Sequence, residues 1–209
     1  MKFYDCTTAP SPRRVRIFLA EKGITLPTMQ VDLRNGEQFS EAFRAMNPDC
    51  TVPALQLDDG TVIADAVAIC QYLEELHPDP PLIGSTPRER AVVTALNRGI
   101  ERDGFFAAMD ALRNTAAGLK GRALPGPHDY EQIPELAERG RKRLEHFFRD
   151  MDARLSRRAF VAGDRYTIAD ISAMIVVDFA ARLKLALRED CPNLKRWYAA
   201  VSARPSAKA

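Results

Sequence analysis

The chain has 209 residues, of which 46% are hydrophobic and 28% are charged. This composition is ordinary for globular proteins and excludes the disordered, collagen-like and coiled-coil classes. The 30 Lys and Arg side chains nearly balance the 28 Asp and Glu, leaving a formal charge of +2, so no overall charge favours a nucleic-acid partner.

Charge is unevenly distributed along the chain. Residues 1–84 carry seven basic and twelve acidic side chains, whereas residues 85–209 carry 23 and 16. Such a change in composition is typical of a domain boundary. The basic residues of the second part alternate with acidic ones, which indicates a solvated helix face. We therefore expect one domain over residues 1–78 and another over residues 87–209.

The four cysteines, Cys6, Cys50, Cys70 and Cys191, lack the spacing of a zinc site, a redox pair or a disulfide scaffold. Isolated cysteines are typical of a reducing compartment. The N-terminus has no apolar signal-peptide core, and the longest apolar run, residues 171–181, is too short to span a membrane. The sequence predicts a cytoplasmic protein that has no membrane partner and no bound metal.

The chain begins with a predicted strand, helix and second strand. Lys2–Asp5 reads as a short strand, and the helix after it has Ser11 at its N-cap, Pro12 in its first position and Gly23 as its stop. Residues 26–33 alternate apolar and polar side chains, as a strand does. Together these elements predict a compact βαβ unit.

A short helix, a hairpin and another helix follow. The hairpin is indicated by two strand-like runs, residues 52–57 and 61–63, joined by a turn of Asp and Gly residues. The short helix covers residues 37–46, and the last helix begins at Asp65 and stops at His77. The order βαβ, α, ββα is that of a thioredoxin-like α/β domain.

The remainder of the chain predicts only helices. The proline-rich residues 78–84 cannot continue a helix and form a linker. Helix periodicity then recurs around residues 92–100, 144–155, 171–187 and 193–202. The third of these is apolar nearly all round, which indicates a central helix. Thr167 and Asp170 before it form a capping box, which we interpret as structural.

Four motifs, in this order and spacing, resemble those of the cytosolic glutathione S-transferases, especially zeta- and theta-like bacterial members. The resemblance covers almost the whole chain and implies a thioredoxin-like N-terminal domain, an all-helical C-terminal domain and a homodimer. The motifs are Ser-Pro-Arg-Arg-Val-Arg at residues 11–16, Asn47-Pro48 with Val52-Pro53, Asp-Ala-Val-Ala-Ile at residues 65–69, and Gly-Asp-Arg-Tyr-Thr-Ile-Ala-Asp at residues 163–170.

The resemblance also implies where glutathione binds. A cis peptide bond before Pro53 would turn the backbone of Val52 outward, beside Thr51, to pair with the cysteinyl backbone of glutathione. Asp65 would bind the amine of the γ-glutamyl end, and Ala66, where the family has serine, would offer only its backbone N–H. Asp65 is equally a simple N-cap.

Gln38 matches a glutamine that zeta-like members use near the glycine end of glutathione. Without the resemblance it would be a surface glutamine.

The group that stabilises the thiolate is open between several residues. A hydroxyl at the N-terminus of the first helix would donate to the sulfur while the helix dipole favours its negative charge. Ser11 is the first candidate and Thr8 the second. Thr7 carries a further hydroxyl within reach, and backbone N–H groups or another residue are the remaining alternatives. In the zeta-type alignment the catalytic serine falls on Ala9, which has no hydroxyl. Cys6 lies too early for the cysteine of reductive members and reads as a buried thiol.

A small hydrophobic electrophile is the expected second substrate. Phe105, Phe106 and Met109 are candidates to line its pocket, although an aromatic pair at helical spacing is more often core. The predicted activity is glutathione conjugation. A bound thiolate equally serves peroxide reduction, disulfide reduction or cis–trans isomerisation. A glutathione-binding module without turnover is the alternative outside enzymes.

Overall fold

A computed structural model describes all residues, 1–209. Contacts divide the chain into two compact units. The first comprises residues 1–80 with residues 124–128 and 209, and the second comprises residues 81–123 and 129–208.

The first unit is built on a four-stranded sheet in the order β2-β1-β3-β4. β1 pairs with β2 in parallel and with β3 antiparallel, and β3 pairs with β4 antiparallel. The predicted βαβ unit, hairpin and thioredoxin-like order are therefore confirmed. The elements are β1 (Lys2–Asp5), α1 (Pro10–Lys22), β2 (Thr28–Gln30), α2 (Glu41–Met46), β3 (Ala54–Gln56), β4 (Val62–Ile63) and α3 (Ala66–Leu76).

The prediction that Ser11 is the N-cap of α1 is wrong. The helix begins at Pro10, and Ala9 is the N-cap with an extended backbone. Proline has its φ fixed near the helical value and needs no N–H partner, so Pro10 opens the helix two residues earlier than expected. The predicted stop is confirmed, because Gly23 takes the left-handed conformation with φ 65°.

Two other predicted elements of this unit are shorter than expected. β2 covers only three residues because Asp32 ends it, its carboxylate accepting from the N–H groups of Arg34 and Asn35 in a local turn. The predicted helix over residues 37–46 is divided at Ser40, whose hydroxyl accepts from the Phe43 N–H and caps α2.

The second unit is helical, as predicted. The helices of this unit are α4 (Pro87–Ile100), α5 (Phe106–Arg113), α6 (Pro134–Leu155), α7 (Ile168–Arg182) and α8 (Pro192–Ser202). An apolar face of α6 and nearly all of α7 form the core of the unit, and α7 ends at Arg182 instead of continuing to residue 187. No helix combines the length and the apolar character that a membrane crossing requires.

The helix predicted around residues 92–100 is α4, and an irregular turn separates it from α5. Residues Glu101–Phe105 form a π-helical turn, and such turns are rare insertions in helices. Gly104 lies in this turn, and a Cβ atom there would come within 3.0 Å of Phe147 and Val176. Glycine therefore permits close packing of the turn against its neighbours.

Candidate active site

The candidate site lies at one end of the sheet of the first unit. Asp5, the last residue of β1, is opposite Gln30 of β2, and Tyr4 is opposite Ala54 at the start of β3. Because β4 runs antiparallel to β3, the start of α3 after β4 lies at this same end. The β1–α1 loop (residues 6–9), the turn before β3 and the N-terminus of α3 are thus brought together.

The turn before β3 holds the Val52-Pro53 peptide bond, which is cis, as the resemblance implied. The ladder of β3 with β1 begins at Ala54, so the backbone of Val52 is not used by the sheet. Asn47, buried with 2% exposure, supports the turn by donating from Nδ2 to the Thr51 carbonyl at 2.9 Å. The sequence motif contained Asn47 without indicating this role.

At the start of α3, the carboxylate of Asp65 is the N-cap. Its Oδ1 accepts from the N–H groups of Val67 at 2.9 Å and Ala68 at 2.8 Å. Both bonds use the same oxygen, so Oδ2 of this exposed residue remains available to a ligand amine. Ala66 is the first helical residue, where the helix itself does not use the N–H.

The first turn of α1 offers one backbone donor. The N–H of Ala9, the N-cap, already donates within the β1–α1 loop. Pro10 and Pro12 have no N–H, so of the four amides that a helix start leaves unpaired, only that of Ser11 remains. The positive end of the helix dipole is therefore presented through Ser11.

The hydroxyl of Ser11 lies beside a buried cation. Arg14 is 5% exposed and donates from Nη2 to Ser11 Oγ at 3.1 Å. The hydroxyl accepts this bond and keeps its own hydrogen to donate, while the guanidinium charge favours an anion near it. Sequence reasoning assigned Arg14 no role, although a spacing of three residues on a helix places two side chains side by side.

Thr8, the second candidate, is exposed and lies outside the helix. Its Oγ1 is 3.4 Å from Sγ of Cys6, a free and buried cysteine. The burial of Cys6 confirms the sequence interpretation.

Gln38 is buried, with 5% exposure, and is not the surface residue that its sequence context alone suggests. Its Oε1 has no hydrogen-bond partner. Buried polar atoms are rarely left unpaired in native structures, so a ligand N–H would satisfy this oxygen.

The residues predicted to line the electrophile pocket belong to the second unit. Phe105 is 4% exposed and its ring meets that of Phe179 edge to face, so it forms part of the helical core. Phe106 is 49% exposed and Met109 is half-buried. Only the last two present surface to a ligand. No group of three or more His, Cys, Asp or Glu side chains is arranged to hold a metal.

Comparison with known proteins agrees with the fold. The family model for the glutathione S-transferase N-terminal domain matches residues 8–76, and that for the C-terminal domain matches residues 115–205. Glutathione S-transferase 2 of Saccharomyces cerevisiae is 36% identical over 100% of this chain and 88% of its own length. Maleylacetoacetate isomerase of Pseudomonas aeruginosa is 30% identical over 99% of this chain and 93% of its own.

A solved structure is similarly close. The glutathione S-transferase domain-containing protein of Marinobacter aquaeolei superposes with a TM-score of 0.91 at 37% identity, covering 99% of each chain. This chain shares the architecture of these proteins, a thioredoxin-like domain followed by an all-helical domain. The chain belongs to the glutathione S-transferase family.

Proposed function

We propose that this enzyme binds glutathione at the sheet end of its first unit and ionises its thiol for attack on a small hydrophobic electrophile. The observation that carries the proposal is the first turn of α1, where Ser11 combines a backbone N–H with a hydroxyl beside the Arg14 guanidinium. Donors and positive charge at one point lower the pKa of a thiol and so raise the population of the nucleophile.

Four residues hold the remainder of glutathione in this proposal. The free backbone of Val52, beside Thr51 and before Pro53, pairs with the cysteinyl residue. Asp65 Oδ2 binds the γ-glutamyl amine, and the Ala66 N–H, at the positive end of α3, donates to the γ-glutamyl carboxylate. The unpaired Gln38 Oε1 accepts from an N–H at the glycine end.

The chemical step is conjugation. The thiol proton leaves to solvent, the thiolate forms a carbon–sulfur bond with the electrophile, and the leaving group departs with its electron pair. Phe106 and Met109 supply apolar surface for the electrophile, and Phe105 supports them from the core. Thr8 is the alternative donor if Ser11 does not contact the sulfur.

Isomerisation is a second candidate, favoured by the relative named maleylacetoacetate isomerase. A thiolate that adds to a conjugated double bond permits rotation about the resulting single bond, and its elimination restores glutathione. The two activities differ in stoichiometry, because conjugation consumes glutathione and isomerisation does not. Measuring glutathione loss alongside product formation separates them.

We further propose that the protein acts as a homodimer in the cytoplasm and serves detoxification. The dimer and the role are those of the family. A reducing compartment is supported by the four cysteines, which are buried and form no disulfide.

An ultraviolet titration with glutathione tests the proposal, read at the thiolate band and paired with calorimetry. Saturable binding together with a thiolate band near neutral pH is the expected result. Binding without the band would contradict activation of the thiol, and absence of binding would contradict the glutathione site itself.

A further inference from the structure

The end of β1 carries a buried carboxylate for which the proposed reaction has no use. Asp5 is 1% exposed, and its oxygens have separate partners. Oδ1 accepts from Arg16 Nη1 at 2.6 Å, and Oδ2 accepts from Gln30 Nε2 at 2.7 Å. A buried carboxylate persists only when its charge and oxygens are satisfied. Asp5 therefore ties α1 and β2 to the end of β1.

Both partners of Asp5 also hold the backbone of the β1–α1 loop. Gln30 Oε1 accepts from the Thr7 N–H at 3.0 Å. Arg16 donates from Nη2 to the Thr7 carbonyl at 3.1 Å and from Nη1 to the Cys6 carbonyl at 3.4 Å. Side chains from two other elements thus bind both backbone polar groups of Thr7. Displacing the loop would break these three hydrogen bonds at once, and the two from Arg16 are charge-assisted.

The loop so fixed leads directly into the first turn of α1. The N–H of Ala9 donates to the Cys6 carbonyl at 3.0 Å and closes the loop, and Ser11 follows two residues later. Hydrogen bonds weaken steeply once distance or angle leaves a narrow range. Small movements of this loop therefore change the strength of the hydrogen bonds that Ser11 donates to a sulfur atom.

We propose that Asp5, Arg16 and Gln30 form a positioning network that holds the Ser11 donors in place for the thiolate of bound glutathione. The inference rests on the proposed function and extends it from the donors to the groups that place them. The three residues act without touching the reacting sulfur. Their effect passes through the backbone of Thr7 and the closed loop after it.

Gln30→Met tests the network, because it removes the donor to Asp5 Oδ2 and the acceptor for the Thr7 N–H while the ion pair of Asp5 with Arg16 remains. Gln30 is exposed, and methionine keeps the length of the side chain. Denaturant unfolding of the variant checks that it is folded under the conditions of the titration. Gln56→Met is the matched control. Gln56 accepts a hydrogen bond from the Tyr4 hydroxyl at 3.2 Å and pairs with Lys2 at the opposite end of the sheet. Each variant loses side-chain hydrogen bonding from the same sheet, but only Gln30→Met frees the loop.

The readout is the pKa of the bound glutathione thiol, taken from the pH dependence of the thiolate band. We expect Gln30→Met to raise this pKa by about one pH unit. At a pH below both pKa values, the variant then holds about tenfold less thiolate than the wild type. Affinity for S-methylglutathione, which has no ionisable thiol, stays within about threefold. Gln56→Met leaves the pKa unchanged.

Arg16→Lys is the second variant. Lysine keeps a positive charge opposite Asp5 but lacks the planar fork that reaches two carbonyls. We expect the thiol pKa to rise here too, so retaining charge alone does not rescue the loop.

A thiol pKa unchanged in both variants, with the wild-type band present, would overturn the network and leave the proposed function standing. An equal rise in Gln56→Met would also overturn it, because the effect would then be general loosening of the sheet. If the wild-type complex shows no thiolate band, the proposed function fails and the network fails with it.

Discussion

Ser11 is the residue at which the chemistry of the proposed site converges. Its amide is the single N–H that the first turn of α1 leaves unpaired, and its hydroxyl receives a hydrogen bond from Arg14. Neither feature depends on Ser11 capping the helix, a role that belongs to Ala9. The side chain is thus free to act on a ligand without a cost to the helix start.

Replacing Ser11 with alanine separates the two donors, because the backbone N–H remains when the hydroxyl is lost. We expect Ser11→Ala to lower turnover by about tenfold to a hundredfold, since a hydrogen bond to a charged group contributes about 1.5–3 kcal/mol. The pKa of the bound thiol rises in parallel. Turnover and thiol pKa are measured with glutathione and a chromogenic electrophile.

Thr8→Val is the control for this experiment. It removes the hydroxyl of the second candidate while keeping the shape of the side chain, and we expect turnover within about twofold of the wild type. If Thr8→Val abolishes turnover and Ser11→Ala does not, the two residues exchange roles.

Among the elements, α3 shows how a helix cap and a ligand site share one side chain. Oδ1 of Asp65 serves the helix and Oδ2 is left for the amine of glutathione. One carboxylate can serve as helix cap and as ligand site because each of its oxygens accepts hydrogen bonds independently.

Asp65→Asn distinguishes the cap from the ligand site. Asparagine caps helices about as well as aspartate, so the free energy of unfolding stays within about 0.5 kcal/mol. Loss of the charge weakens the bond to the ammonium group, and we expect glutathione to bind about tenfold to a hundredfold more weakly. Calorimetry and denaturant unfolding give the two quantities. Unchanged affinity would reduce Asp65 to a cap.

The start of α7 in the second unit also depends on one aspartate, but there the role of the carboxylate is structural. Asp170 Oδ1 accepts from the Val161 N–H at 2.8 Å and from Trp197 Nε1 at 2.9 Å, and Oδ2 accepts from the Thr167 N–H at 3.0 Å. Burial raises the pKa of the Asp170 carboxyl, while these donors act in the opposite direction. The predicted capping box is thus also a junction between α7, α8 and the loop before α7.

Asp170→Asn turns one oxygen into an NH₂ group that faces hydrogen-bond donors. Because a buried donor is then left without an acceptor, we expect the free energy of unfolding to fall by about 1–3 kcal/mol. Asp164→Asn, at an exposed position six residues earlier, is the matched control and should change it by less than about 0.5 kcal/mol. Equal stability of the two variants in denaturant would remove the proposed importance of the junction.

At the scale of the whole molecule, the sequence predicted elements whose signal is local. The hairpin, the Asp65 cap and the apolar α7 follow from periodicity and turn chemistry within a few residues. The predicted start of α1 is wrong because Pro10 and Pro12, which are separated by one residue, both fit the first position of a helix.

The groups that organise the candidate site were harder to find in the sequence. Asp5 meets Arg16 and Gln30 across 11 and 25 residues of chain, and no periodicity links them. The unpaired oxygen of buried Gln38 likewise appears only once the fold encloses it. The Val52-Pro53 turn was predicted through the family resemblance, whereas the second cis bond, Asp79-Pro80, had no signal.

The expected homodimer is a property of the whole molecule, and sedimentation tests it. Analytical ultracentrifugation at about micromolar concentration should give twice the chain mass of 23.3 kDa. A single species at the mass of one chain would contradict the dimer without affecting the glutathione site.

The proline spacing at the start of α1 has a spectroscopic consequence. A ¹H–¹⁵N correlation spectrum records amide hydrogens, and residues 10–12 contribute one peak, from Ser11, because Pro10 and Pro12 are silent. A sulfur that gains negative charge beside that amide moves its resonance. The chain therefore contains its own reporter, through which the ionisation of a bound thiol can be followed at a single nitrogen without any chromophore.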